Sequence, residues 1–168
     1  MKKLILLVMA ILPMIAGCGG GGGGDNAAPL PTAATLKLSS QGTMPVGKAV
    51  SGIDVTIELP AGATVKTTSG VVDATVVVAS GLLTTATSSM SPITYTPAAG
   101  ATKAKLDFTI ASTALAGVQV GEYATITLIL SGVNPAVTDF NATLFKAYAV
   151  DGSGAISALT PKLALTVN

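Results

Sequence analysis

Between residues 53 and 59 the chain reads Ile-Asp-Val-Thr-Ile-Glu-Leu, apolar at every odd position and polar at every even one. Successive side chains of a strand point to opposite faces, so such a run buries one face of a sheet and wets the other; a helix of period 3.6 would scatter it around its axis. The pattern returns. Ala104, Leu106, Phe108 and Ile110 alternate with Lys103, Lys105, Asp107 and Thr109. Ala124, Ile126, Leu128 and Leu130 alternate with Thr125 and Thr127, a phase that puts Tyr123 on the outward face with Thr125, and Leu163, Leu165 and Val167 form a fourth series. Weaker strand candidates lie at 35–38, 71–79, 92–96 and in two pieces within 137–150. Turn material separates them: Pro60-Ala61-Gly62, Ser80-Gly81, Ala98-Ala99-Gly100, Val120-Gly121, Asn134-Pro135 and Asp151-Gly152-Ser153-Gly154. The one helix-like stretch, 112–118, is about two turns long. About eight or nine short strands predict an all-β fold, a single β-sandwich of jelly-roll type over residues 33–168. A transmembrane barrel would need lipid-facing apolar strands and aromatic girdles, which three Tyr, three Phe and Lys-bearing strand faces do not supply.

Composition narrows the function classes. The chain has no His and a single Cys, so imidazole acid–base chemistry, imidazole metal sites, internal disulfides, thiolate metal sites and covalent haem are excluded. Its cations are all Lys, with no Arg, and the formal charge of the whole sequence is +1, which leaves no field or bidentate fork for nucleic acid. No Ser-x-x-Lys signature appears, and no spacing nominates a carboxylate pair. The expectation is a protein that is not an enzyme and needs neither cofactor nor metal. Asp151-Gly152-Ser153-Gly154 reads as a tight turn, because a calcium loop needs more oxygen ligands and a closing Glu. Asp139 and Asp151 together are a pair from which a small ion site could be assembled. Lys103, Lys105 and Asp107 make a solvated strand face that also discourages edge pairing, and Asn141-Ala142-Thr143 matches the glycosylation sequon.

The N-terminal region is of another kind. Lys2 and Lys3 precede an apolar run broken only by Pro13, too short for a comfortable bilayer span but matching a secretory signal peptide. It ends in Ile15-Ala16-Gly17-Cys18, which resembles the bacterial lipobox. The resemblance implies cleavage after Gly17, a diacylglyceryl thioether on Cys18 and acylation of the new amino group. Two or more acyl chains would attach the protein stably to membrane lipid. Gly19 at the position after the Cys implies sorting to the outer membrane, on its periplasmic or its surface side. Residues 1–17 are therefore read as a signal peptide and 18–32 as the lipidated Cys and a Gly/Pro-rich linker. Six consecutive glycines followed by small residues form no core and act as a coil reaching roughly 20 Å.

Residues 33–168 also resemble the superfamily that groups cohesin modules with cellulose-binding modules. The carrying segments are Lys105-Leu106-Asp107-Phe108-Thr109-Ile110-Ala111, then Leu115-Ala116-Gly117 leading through Gly121-Glu122-Tyr123-Ala124-Thr125-Ile126-Thr127-Leu128, then Asp139-Phe140 to Phe145-Lys146-Ala147-Tyr148-Ala149-Val150-Asp151-Gly152, with an early Gly52-Ile53-Asp54-Val55 strand. Members of that superfamily bind without catalysing, cohesins through a sheet face and the carbohydrate modules through aromatic rows. The resemblance implies an envelope or extracellular protein partner, or alternatively a polysaccharide. Tyr95, Tyr123 and Tyr148 are the candidate contact residues, since a phenol offers apolar area and a hydroxyl together. The absence of Trp departs from the carbohydrate-binding pattern.

Overall fold

The computed structural model describes residues 28–168; the leader, Cys18 and the polyglycine run lie outside the described residues. Twelve strands follow in order: β1 (Ala33–Gly42), β2 (Val50–Leu59), β3 (Ala63–Thr64), β4 (Thr67–Thr68), β5 (Val71–Val72), β6 (Val77–Ala79), β7 (Ser88–Met90), β8 (Thr94–Thr96), β9 (Ala104–Ser112), β10 (Glu122–Leu130), β11 (Asn141–Ala149) and β12 (Leu159–Val167). The four alternating series fall on β2, β9, β10 and β12. Of the weaker candidates, 71–79 splits into β5 and β6 with Asp73 and Thr75 in the turn between, whereas 35–38 lengthens into β1 and the two pieces expected within 137–150 form the single strand β11.

Two antiparallel sheets form a β-sandwich. One runs β12-β1-β10, with β3 and β6 sharing the far edge of β10; the other runs β11-β2-β9, with β7 and β8 sharing the far edge of β9. A separate hairpin pairs β4 with β5. The inward rows meet in one core, where Leu36, Leu38, Ile126 and Leu128 of the first sheet and Ile53, Ile57, Leu106 and Ile110 of the second are fully buried. Each such aliphatic side chain contributes about 1.5–3 kcal/mol relative to exposure.

β7 and β8 are halves of one interrupted edge strand. Ser88 pairs with Ser112 and Met90 with Ile110, but Thr94 pairs with Asp107, one residue out of register. Pro92 cannot donate to the ladder. Ser91 bridges the gap: its N–H donates to the Thr109 carbonyl at 3.0 Å, and its hydroxyl accepts the Thr109 N–H at 3.0 Å.

The helix-like stretch at 112–118 is not a helix. Val118 exchanges backbone hydrogen bonds with Val50, at 2.8 and 2.9 Å, and Gly117 sits at φ 66 in the left-handed region. A sheet partner for Val118 outcompetes a short helix with little to pack against. The 43–49, 113–121 and 150–158 loops thereby meet at one end of the sandwich, where Lys48 also binds Asp151 and Ser153. The chain enters β1 at the other end, where Ala33 lies opposite Ile129.

Candidate functional site

The three tyrosines do not share a face. Tyr123, expected outward, is fully buried. Leu38 pairs with Ala124 while the next residue, Ser39, pairs with Glu122, so Tyr123 is the extra residue of a β-bulge. The bulge turns Tyr123 inward beside Ala124, against the phase that the rest of β10 keeps. The Tyr123 hydroxyl donates to the Gln119 carbonyl at 2.9 Å and shares a 2.8 Å hydrogen bond with the Ser40 hydroxyl. This is the geometry of a tyrosine corner, a structural device. Burial raises the phenol above its ordinary pKa and outweighs the Ser40 bond. Tyr123 is therefore corrected from contact residue to core residue.

Tyr95 lies opposite the buried Leu106 and packs half-buried against the core, where burial raises its hydroxyl. Tyr148 stands outward on β11 between the buried Ala147 and Ala149. Its hydroxyl donates to Asp54 Oδ2 at 2.8 Å, which raises its pKa. It begins a polar ladder across the outer face of the second sheet: Thr109 donates to Asp54 Oδ1 at 2.7 Å, Thr56 donates to Asp107 Oδ1 at 2.5 Å, and Lys105 lies 3.8 Å from Glu58. A shallow depression of about 290 Å³ spans Asp54, Asp107, Thr94 and Leu144. Asp139 accepts the Ala136 N–H, whereas Asp151 is held by Lys48 and Ser153, so the two carboxylates serve separate turns. Among the described residues no three His, Cys, Asp or Glu side chains come together.

A concavity lies where the sandwich opens between its two split edges. A groove of about 550 Å³ runs between β6 and the β7–β8 strand, lined by Val77, Val78, Met90, Pro92 and Ile93 among others, none of them charged. Its polar groups are the hydroxyls of Thr85, Ser88 and Ser91 and the backbone. β6 builds one wall by pairing with β10 through Ala124–Ile126, which leaves Val78 38% exposed. The β7–β8 edge strand, with its register shift at Pro92, supplies the other through Met90, Pro92 and Ile93. Met90, unbranched and polarisable, gives that wall an adaptable surface. Such a cleft suits an uncharged apolar ligand and holds no titratable group for acid–base chemistry. Sequence reasoning missed it, and the available signals were the unalternating apolar run at 76–79 and a Pro set between Met90 and Ile93.

Fold and site together define a β-sandwich with one uncharged side groove and one polar sheet face. No family model, curated protein or solved structure matches the chain.

Proposed function

We propose that this protein is a non-catalytic, cohesin-like binding module, lipid-anchored through Cys18 at the outer membrane, whose side groove receives an apolar segment of another envelope or extracellular protein. The observation that carries the reading is the groove itself, about 550 Å³ in volume and without a charge in its lining. Dispersal of Tyr95, Tyr123 and Tyr148 over three environments favours a protein ligand over a polysaccharide, which needs coplanar rings. The alternative, a polysaccharide module, rests on Tyr148 and the hydroxyl–carboxylate ladder beside it.

Two experiments test the two halves. Metabolic labelling with palmitate should mark the wild-type protein and not Cys18→Ser, which should leave the membrane fraction; a labelled, membrane-bound Cys18→Ser protein would sink the anchor. A photo-crosslinking residue at Val78 should yield a discrete protein adduct in intact cells that Ile93→Asp abolishes. Retention on polysaccharide that depends on Tyr148, with no adduct at Val78, would instead support the alternative.

A further inference from the structure

Four strand edges bound the two sheets, and three are blunted. β3 and β6 are two and three residues long, too short to template a partner. The β7–β8 edge is broken at Pro92. β11 carries register shifts at Ala142/Leu144 and Tyr148/Ala149, and its C-terminal half is covered by the following loop, whose Gly154 carbonyl accepts from Ala149 and whose Ile156 N–H donates to Ala147. These are the devices by which sheets avoid unwanted pairing.

β12 is different. Its register to β1 is unbroken from Leu159 to Val167, and Asn168 donates to the Ala33 carbonyl in the same register. Residues 160, 162, 164 and 166 therefore point their backbone groups at β1, and residues 161, 163, 165 and 167 point theirs away. Pro161 withholds the N–H at the first outward position. Beyond it, Leu163, Leu165 and Val167 present outward N–H and C=O groups over a stretch with no charge, bulge or proline. The side chains of Leu163 and Leu165 are half-buried against the core, so the apolar row of the first sheet runs to this edge, where residues 137–142 lie beside Pro161 and Leu163 but no strand pairs.

Charge says what would close it. Every carboxylate among the described residues has a partner: Asp54, Asp73, Asp107, Asp139 and Asp151 in hydrogen bonds, Glu58 and Glu122 with lysines. Lys37, Lys48, Lys66 and Lys105 are the lysines so engaged. Lys162, at the head of the free stretch and exposed, has no carboxylate within reach among the described residues, and Lys146 on the neighbouring edge strand is likewise without an ion pair. The side chains without an ion pair that flank this edge, Lys162 and Lys146, are positive.

We propose that the edge of β12 from Leu163 to Val167 is a strand-addition site for an extended, acidic segment of a partner protein. Its alternate apolar side chains continue the row of Leu163 and Leu165, and a carboxylate on the outer face pairs with Lys162. The site lies on the flank opposite the groove and depends on neither the groove nor the anchor.

The test uses the full chain, isotope-labelled and carrying Cys18→Ser to keep it out of lipid, with the synthetic peptide Thr-Val-Glu-Val-Thr-Val-Thr and its Lys-for-Glu counterpart as probes. The acidic peptide should slow amide exchange at Leu163, Leu165 and Val167 and leave Lys162, Ala164 and Thr166, already bonded to β1, unchanged. Lys162→Glu, an exposed substitution that leaves the fold intact, should weaken the acidic peptide roughly fivefold and strengthen the basic one. Absence of protection at millimolar peptide, protection at the groove instead, affinities indifferent to Lys162→Glu, or protection that grows with protein concentration without peptide would each overturn the proposal, the last by assigning the edge to a second copy.

Discussion

The Tyr123 hydroxyl is enclosed, so its hydrogen bonds to Gln119 and Ser40 are made without water as a substitute. Tyr123→Phe removes both and leaves the Ser40 hydroxyl poorly satisfied, a loss of about 1–2 kcal/mol that urea denaturation would measure. Carboxylates at turns make a second prediction. Asp73 is held well below the ordinary carboxylate range by the backbone N–H and hydroxyl of Thr75 and then by Lys66, Asp151 by Lys48 and Ser153, and Glu122 is lowered by Ser80 and then Lys37. A folded pKa below the unfolded one gives stability that is complete above the unfolded value, near 4, and is lost as pH falls through the folded value. The melting temperature should hold from about pH 5 to 7 and drop progressively below about pH 4, with Asp73→Asn flattening the slope. These groups are at the surface, so each effect is modest.

At the scale of the element, what fixes each strand is what its neighbour demands of it. The loop before β10 is pinned by the Val50–Val118 bridge, and Gly117 is the residue that allows it: a Cβ there would lie 2.7 Å from the Val50 carbonyl oxygen. Gly152 has a similar left-handed backbone, φ 73, but open space around it. Gly152→Ala should therefore cost about 1 kcal/mol from backbone strain alone. Gly117→Ala should cost clearly more and speed amide exchange at Val50 and Val118; equal losses would show that the close approach does not matter. Alternation located β2, β9, β10 and β12 because each keeps one phase against a buried face. It could not show the bulge at Tyr123, since the extra residue is defined by its pairing with β1, eighty-odd residues earlier in the chain.

In the whole molecule one core joins both sheets, so neither should unfold alone. Leu36→Ala in the first sheet and Leu106→Ala in the second should each lower stability by about 2–5 kcal/mol within a single cooperative urea transition of unchanged slope. Two separated transitions would show that the sheets are independent. By itself the sequence determined the all-β class, the strands with a steady period of two and the turns between them, because these follow from local sterics and from burial of one strand face. It also determined what chemistry was missing, since a chain without His and with one Cys cannot assemble it by folding. Only the tertiary structure decided which tyrosine is enclosed, where the sandwich opens into an uncharged groove and which strand is left with an unpaired edge. Those three depend on register and on which strands end as neighbours, and distant segments settle both by filling a common core.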